Sequence, residues 1–115
     1  MKMNEEMMQG ILVLKLDGEL MGGSEAHAFQ ERIYRAIREN TVNVVIDMDS
    51  VQWMNSSGLG IVMAGLTTLR GSEGDLRLAN LSERVRRPIE VTKLDQVIPI
   101  FQSVTEAVNS YNPGE

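Results

Sequence analysis

Val42-Asn43-Val44-Val45-Ile46-Asp47-Met48 is dense in β-branched residues and is followed by Val51 and Trp53, a composition that at this length reads as a buried strand. Beyond it, Leu59, Val62, Met63, Leu66 and Leu69 recur at the spacing that lines one face of a helix. Met54-Asn55-Ser56-Ser57-Gly58-Leu59-Gly60 is therefore read as a loop from the C-terminal end of a strand to the start of a helix. Ligands and partners commonly meet α/β sheets at such ends. The first amides of a helix lack intrahelical acceptors, and serine is a favoured cap. One serine suffices for that purpose, which leaves the other free for function.

The flanking segments supply more of the same alternation. Ile11-Leu12-Val13-Leu14-Lys15-Leu16 reads as a strand ending at the turn-favouring pair Asp17-Gly18, and Met3 to Met8 as an earlier partner strand joined through Gln9-Gly10. Glu5 and Glu6 suit an exposed or edge position there. Ser24 is placed to cap a helix whose inner face carries Ala26, Phe29, Ile33, Ala36 and Ile37, with Asn40 at its end. The helix after Asn55 is expected to stop near Arg70-Gly71, with the glycine in the left-handed cap conformation.

Leu76, Leu78 and Ala79 then form a short strand, and Ser82 caps a helix containing Val85, Ile89 and Val91. Pro88 should kink or stop that helix, because an interior proline removes a donor and clashes with the preceding turn. Val97-Ile98-Pro99-Ile100-Phe101 resembles a last strand, edge or irregular because of its proline. Ser103-Val104-Thr105-Glu106 is a capping-box pattern opening a final helix through Ala107, Val108 and Tyr111. Residues 1–2 and 112–115 are expected to fray. Alternating strands and helices imply an α/β sheet with right-handed crossovers.

A chain of 115 residues fits one domain. With no cysteine it has no disulfide scaffold, thiolate metal site or cysteine nucleophile. The acids Glu5 and Glu6 fall where a secretory signal needs an apolar core, and no apolar run is long enough to span a bilayer. A soluble, cytoplasmic protein without direct membrane insertion is the expectation. A net charge of -5 argues against binding the nucleic-acid backbone. The one basic cluster, Arg84, Arg86 and Arg87, reads as a solvated helix face or part of a protein interface.

Catalytic readings of the loop fit poorly. Gly58-Leu59-Gly60 opens a helix, but Met63 stands where a dinucleotide fingerprint needs its third glycine, and no phosphate-loop Gly-Lys-Ser/Thr occurs. Ser56 and Ser57 lie outside a Gly-x-Ser-x-Gly elbow, and His27, read as a surface or boundary side chain, is the only histidine. Asp47 and Asp49 lack metal-ligand spacing and read as turn and loop acids. A loop serine modified by a separate kinase is the better reading, since a phosphate beside a helix N-terminus meets a favourable dipole.

At Asn55-Ser56-Ser57-Gly58-Leu59-Gly60 the chain resembles the STAS domain of bacterial anti-sigma factor antagonists, whose usual pattern is Asp-Ser-Ser/Thr/Ala-Gly-Leu-Gly. Gly18-Glu19-Leu20 and the segment from Leu81-Ser82-Glu83-Arg84-Val85 through Leu94, Ile98 and Phe101 extend the resemblance over nearly the whole chain. It implies a single STAS domain over residues 1–115, α/β in class, with a mixed four- to five-stranded sheet and about four helices mainly on one face. It implies Ser56 as phosphoacceptor and Ser57 as cap, with Asn55, Ser56, Ser57, Gly58, Leu59, Gly22, Gly23 and Ser24 meeting partners. Those partners would be an anti-sigma factor that is also a serine kinase and a PP2C-like phosphatase, with the chain as substrate and ligand rather than enzyme.

Two departures mark the chain. Asn55 stands where the family usually has Asp, keeping hydrogen-bonding capacity and losing a charge. Met21 stands where many members have Asp after Gly-Glu-Leu, so nucleotide binding is not carried over and no cofactor is expected. STAS domains also serve as non-switching subunits of lipid-transport ATPases and as phosphoswitches on targets other than sigma factors.

Overall fold

The computed structural model describes residues 2–112. In chain order the elements are β1 (Lys2–Met8), β2 (Ile11–Leu20), α1 (Ser24–Arg38), β3 (Asn43–Met54), α2 (Ser56–Gly71), β4 (Asp75–Ala79), α3 (Glu83–Val91), β5 (Ile100–Phe101) and α4 (Val104–Tyr111), with a 3-10 turn at Leu94–Gln96. Five strands form one sheet in the order β1-β2-β3-β4-β5. The first pair is antiparallel and the others are parallel, so the sheet is mixed.

The β1–β2 hairpin closes through Gln9 and Gly10, at φ 54° and 80°. Positive φ at both central residues is the turn geometry that matches strand twist. Side-chain alternation then divides the sheet into two apolar faces. Leu12, Leu14, Leu16, Val44, Ile46 and Met48 face a core shared with Phe29 and Ile33 of α1, Leu66 and Leu69 of α2, and Val85 and Ile89 of α3. Ile11, Val13, Val45 and Ala79 face the opposite side, where Ala107 and Val108 of α4 cover them. Three helices lie on one face and one on the other. Burial on both faces explains why β3 reads as an almost unbroken apolar run.

Several boundaries differ from the sequence reading. β2 does not end at Asp17-Gly18; it continues to Leu20 through register shifts on either side of those residues, with Gly18 at φ 116°. A bulge absorbs the turn-forming pair, and the fully buried Leu20 anchors the strand beyond it. β3 runs to Met54, one residue beyond the Trp53 included in the expected strand. Asp47, expected in a turn, lies within β3 at 9% exposure, its Oδ1 accepting from Asn80 Nδ2 at 3.0 Å and Asp49 N at 3.1 Å. Trp53, expected inside, is exposed.

Helix ends also required correction. Gly23, not Ser24, occupies the cap position of α1, and no side chain caps it. Asn40 does end α1, at φ 63°, with its N–H bonded to Ile37 O and that of Thr41 to Ala36 O. At the end of α2, Gly71 is still helical; Glu73 takes the left-handed conformation at φ 64°. Gly74 is the residue the fold requires there, because a Cβ on it would lie 1.9 Å from Val42 O.

α3 keeps its expected cap, with Ser82 accepting from Val85 N, but runs through Pro88 to Val91, which is exposed rather than on the inner face. Arg84 and Arg87 are exposed and Arg86 is half-buried. The last strand contains only Ile100 and Phe101. Pro99, unable to donate, sits just before it and accepts from Leu78 N at 3.0 Å. In α4 the Ser103 hydroxyl accepts from Glu106 N at 3.1 Å. Met1 and residues 113–115, where fraying was expected, lie outside the described residues, whereas Lys2 is paired with Asp17 in β1.

The edge strand is tied down by a contact absent from the sequence reading. Arg32 of α1, at 8% exposure, donates from Nε (2.7 Å) and Nη2 (3.1 Å) to the Glu5 carboxylate, which Arg35 also approaches at 3.4 Å. The hydrogen bond from Arg32 outweighs desolvation and lowers the Glu5 pKa below its usual 4.5. A depressed carboxylate pKa contributes stability that is full above the unfolded value and disappears as pH falls through the folded one. Thermal denaturation across pH 7 to 3 should therefore show Glu5→Gln less stable than wild type at neutral pH, with the difference shrinking below pH ~4.5.

Candidate functional site at the strand-to-helix junction

The seven-residue stretch from Met54 to Gly60 is not a loop. Met54 is the last residue of β3, Ser56 is the first of α2, and Asn55 alone connects them. Asn55 has extended backbone geometry, and its Oδ1 accepts from Gly58 N–H at 2.8 Å while its carbonyl accepts from Leu59 N–H at 2.9 Å. This is N-cap geometry satisfying the third helical amide. The cap is therefore Asn55 and not Ser57. Asparagine ranks with serine in this role and already occupied the right place, which was the available sequence signal.

Relieved of capping, both serines project from the first turn. Ser56 and Ser57 are exposed, whereas Gly58 and Leu59 are buried beneath them. Burial of Gly58 reflects a close backbone approach: a Cβ there would lie 2.0 Å from Leu20 O. Asn55 N–H also donates to that carbonyl, at 3.3 Å. The end of β2 and the start of α2 are thus locked together. Gly60 meets nothing within 4 Å of its own Cβ position, so no comparable packing role attaches to it.

The turn after β2 completes the site. Gly22 and Gly23 have φ of 100° and 71°, where side chains are strained. A Cβ on Gly22 would lie 3.0 Å from Ser57 Cβ. Of the eight expected partner-binding positions, Gly22 meets Ser57 within the consecutive run Asn55 to Leu59, and Gly23 and Ser24 follow Gly22 into α1. Met21 and Trp53, each 39% exposed, flank the junction and were not read as site residues. Trp53 follows the exposed Gln52 and does not keep the inward alternation of the strand, a feature hidden by its apolar type.

His27 is exposed on α1, and no hydrogen bond joins it to either serine among the described residues. Among those residues, no group of three or more His, Asp or Glu side chains is arranged to hold a metal ion. No helix among them is long and apolar enough to cross a membrane. The site offers two hydroxyls, an amide and a helix N-terminus on a rigid base. Such a surface can be recognised or modified by another protein.

Fold and junction together define the class: a small α/β domain of mixed sheet, with its distinctive surface where β2 and β3 end. The sequence matches the STAS domain family over residues 2–107, and the chain belongs to that family. An anti-sigma-F factor antagonist from Mycobacterium tuberculosis is 28% identical over 105 residues, covering 91% of this chain and 84% of that one. The crystal structure of an anti-sigma factor antagonist from Mycobacterium paratuberculosis superposes with a TM-score of 0.83 at 25% identity, covering 97% and 94% of the two chains. The phosphorylated form of the Bacillus cell fate determinant SpoIIAA superposes at 0.74 with 22% identity, covering 96% and 99%.

Two measurements check the division of labour. In thermal denaturation, Asn55→Ala should cost about 0.5 to 2 kcal/mol, as loss of an N-cap does, while Ser57→Ala leaves stability nearly unchanged. Gly58→Ala should cost about 1 to 3 kcal/mol or more, since the helix must move away from Leu20 O to admit a methyl group.

Proposed function

We propose that this chain is an anti-sigma factor antagonist that acts by partner switching in the cytoplasm. With Ser56 unmodified it binds an anti-sigma factor that is also a serine kinase, and the sigma factor is released. The kinase transfers the terminal phosphoryl group of ATP to the Ser56 hydroxyl; ADP leaves, and the hydroxyl proton passes to a base on the kinase. The phosphorylated chain dissociates, and a PP2C-like phosphatase hydrolyses the ester to restore binding. In this cycle the chain is substrate and ligand.

The observation that carries the reading is the exposed Ser56 on the first turn of a helix already capped by its neighbour. Its hydroxyl can be modified without breaking a bond that holds the fold. The names of the relatives support the target, and a Bacillus protein of the same fold is described in a phosphorylated form, which is in keeping with the switch.

Magnitudes favour a switch in affinity over a switch in folding. A phosphate near a helix N-terminus gains roughly 0.3 to 1 kcal/mol from the dipole. The same group, carrying about −1.5 to −2 charges, costs several kcal/mol when an interface buries it without a counter-charge. Each ~1.4 kcal/mol is a tenfold step in affinity, so binding changes by orders of magnitude while the domain stays folded.

Ser56→Ala should bind the anti-sigma factor constitutively, and Ser56→Asp should bind weakly with its circular dichroism unchanged. Titration of the anti-sigma factor with wild type and with a mass-verified Ser56 phosphoform decides the matter: equal affinities reject the switch. Co-purification with a permease and ATPase in place of a serine kinase would instead identify a transport subunit. Modification-dependent capture of a protein other than an anti-sigma factor would identify a different target of the same switch.

A further inference from the structure

The cap at Asn55 fixes which way its amide faces. Oδ1 is committed to Gly58 N–H at 2.8 Å, the backbone N–H to Leu20 O and the carbonyl to Leu59 N–H. Nδ2 is the remaining polar group; it has no partner among the described residues and is not among the buried side-chain atoms lacking one. It is therefore reachable by solvent as a donor beside Ser56. Helix stability does not call for an amide here. Aspartate caps as well as asparagine, and its charge would gain from the dipole. What the amide changes is the outer surface, which carries a neutral donor where the acid would carry a charged acceptor.

Apolar surface adjoins this donor. Register pairing of Leu20 with Met54 brings Met21 and Asn55 side by side just past the strand ends, with Trp53 two residues before Asn55 on β3. Met21 and Trp53 are each 39% exposed, whereas their chain neighbours Leu20 and Met54 are buried at 0% and 3%. An exposed tryptophan beside a directed polar group is the composition of an interface centre.

Resting on the partner-binding reading above, we infer that the protein surface meeting Ser56 presents a hydrogen-bond acceptor, a carboxylate or backbone carbonyl, to Asn55 Nδ2, beside an apolar recess that takes Trp53. Asn55 and Trp53 are thus the residues that select which anti-sigma factor this chain engages. An acid at Asn55 would set like charge or unpaired acceptors face to face across the contact. Trp53 supplies the buried area.

Calorimetric titration of the purified anti-sigma factor from the same genome tests this with wild type, Asn55→Asp, Trp53→Ala and the neighbouring control Gln52→Glu. Asn55→Asp retains the cap and gains from the dipole, so its thermal midpoint should equal or slightly exceed that of wild type while affinity falls about tenfold or more. Trp53→Ala should lose about tenfold or more, with circular dichroism unchanged. Gln52→Glu should bind within about threefold of wild type, as an exposed charge at a rim does. Wild-type affinity in Asn55→Asp or in Trp53→Ala overturns the inference, as does an equal loss in Gln52→Glu, which would make the effect one of general charge. Binding of wild type in those cases leaves the partner-switching reading intact; no binding by wild type removes that reading and this inference together.

Discussion

A helical glycine pressed against a strand-end carbonyl holds the strand-to-helix junction of this domain in place. Gly58 approaches Leu20 O so closely that a side chain there would force the helix away, and Asn55 N–H donates to the same oxygen. That contact aligns the axis of α2 with the end of β2. The cap from Asn55, the packing of Gly22 on Ser57 and the exposure of both hydroxyls all follow from it. A rigid base matters for recognition, since a group held in one orientation loses less entropy when a partner binds it.

Inward and outward contacts are consequently made by different atoms of the same few residues. Asn55 uses Oδ1 inward and leaves Nδ2 reachable by solvent; Gly58 and Leu59 are buried, while Ser56 in the same turn is exposed. Chemistry at the hydroxyl leaves the core contacts of Leu59, Val62 and Leu66 untouched.

Most of the architecture was legible from local patterns. The β-branched density of Val42–Met48 marked the central strand, the helical spacing from Leu59 to Leu69 marked α2, and Gln9-Gly10 marked the hairpin. Misreadings cluster where tertiary contacts override local chemistry. Asp17-Gly18 is a turn signal that a bulge absorbs because Leu20 must reach the core, and Gly71 lost the left-handed position to Glu73 because Gly74 was needed against Val42 O. At the site, the motif was visible but its internal roles were not: whether Asn55 or Ser57 caps α2 depends on the length of β3, which continues past the polar Asp49 and Ser50. The Glu5–Arg32 pair joins residues far apart in sequence, and no periodicity reports it.

The order of strands in space is also their order along the chain. Each strand is therefore laid beside the one made just before it, and no later strand has to be inserted between two earlier ones. Every contact that shapes the junction, from Leu20 and Gly22 to Leu59, lies within β2, α1, β3 and α2, and so within residues 11–71. On a ribosome, the geometry of this junction is already encoded in emerged chain before β4, α3 and α4 are synthesised; those later elements complete the core beneath it.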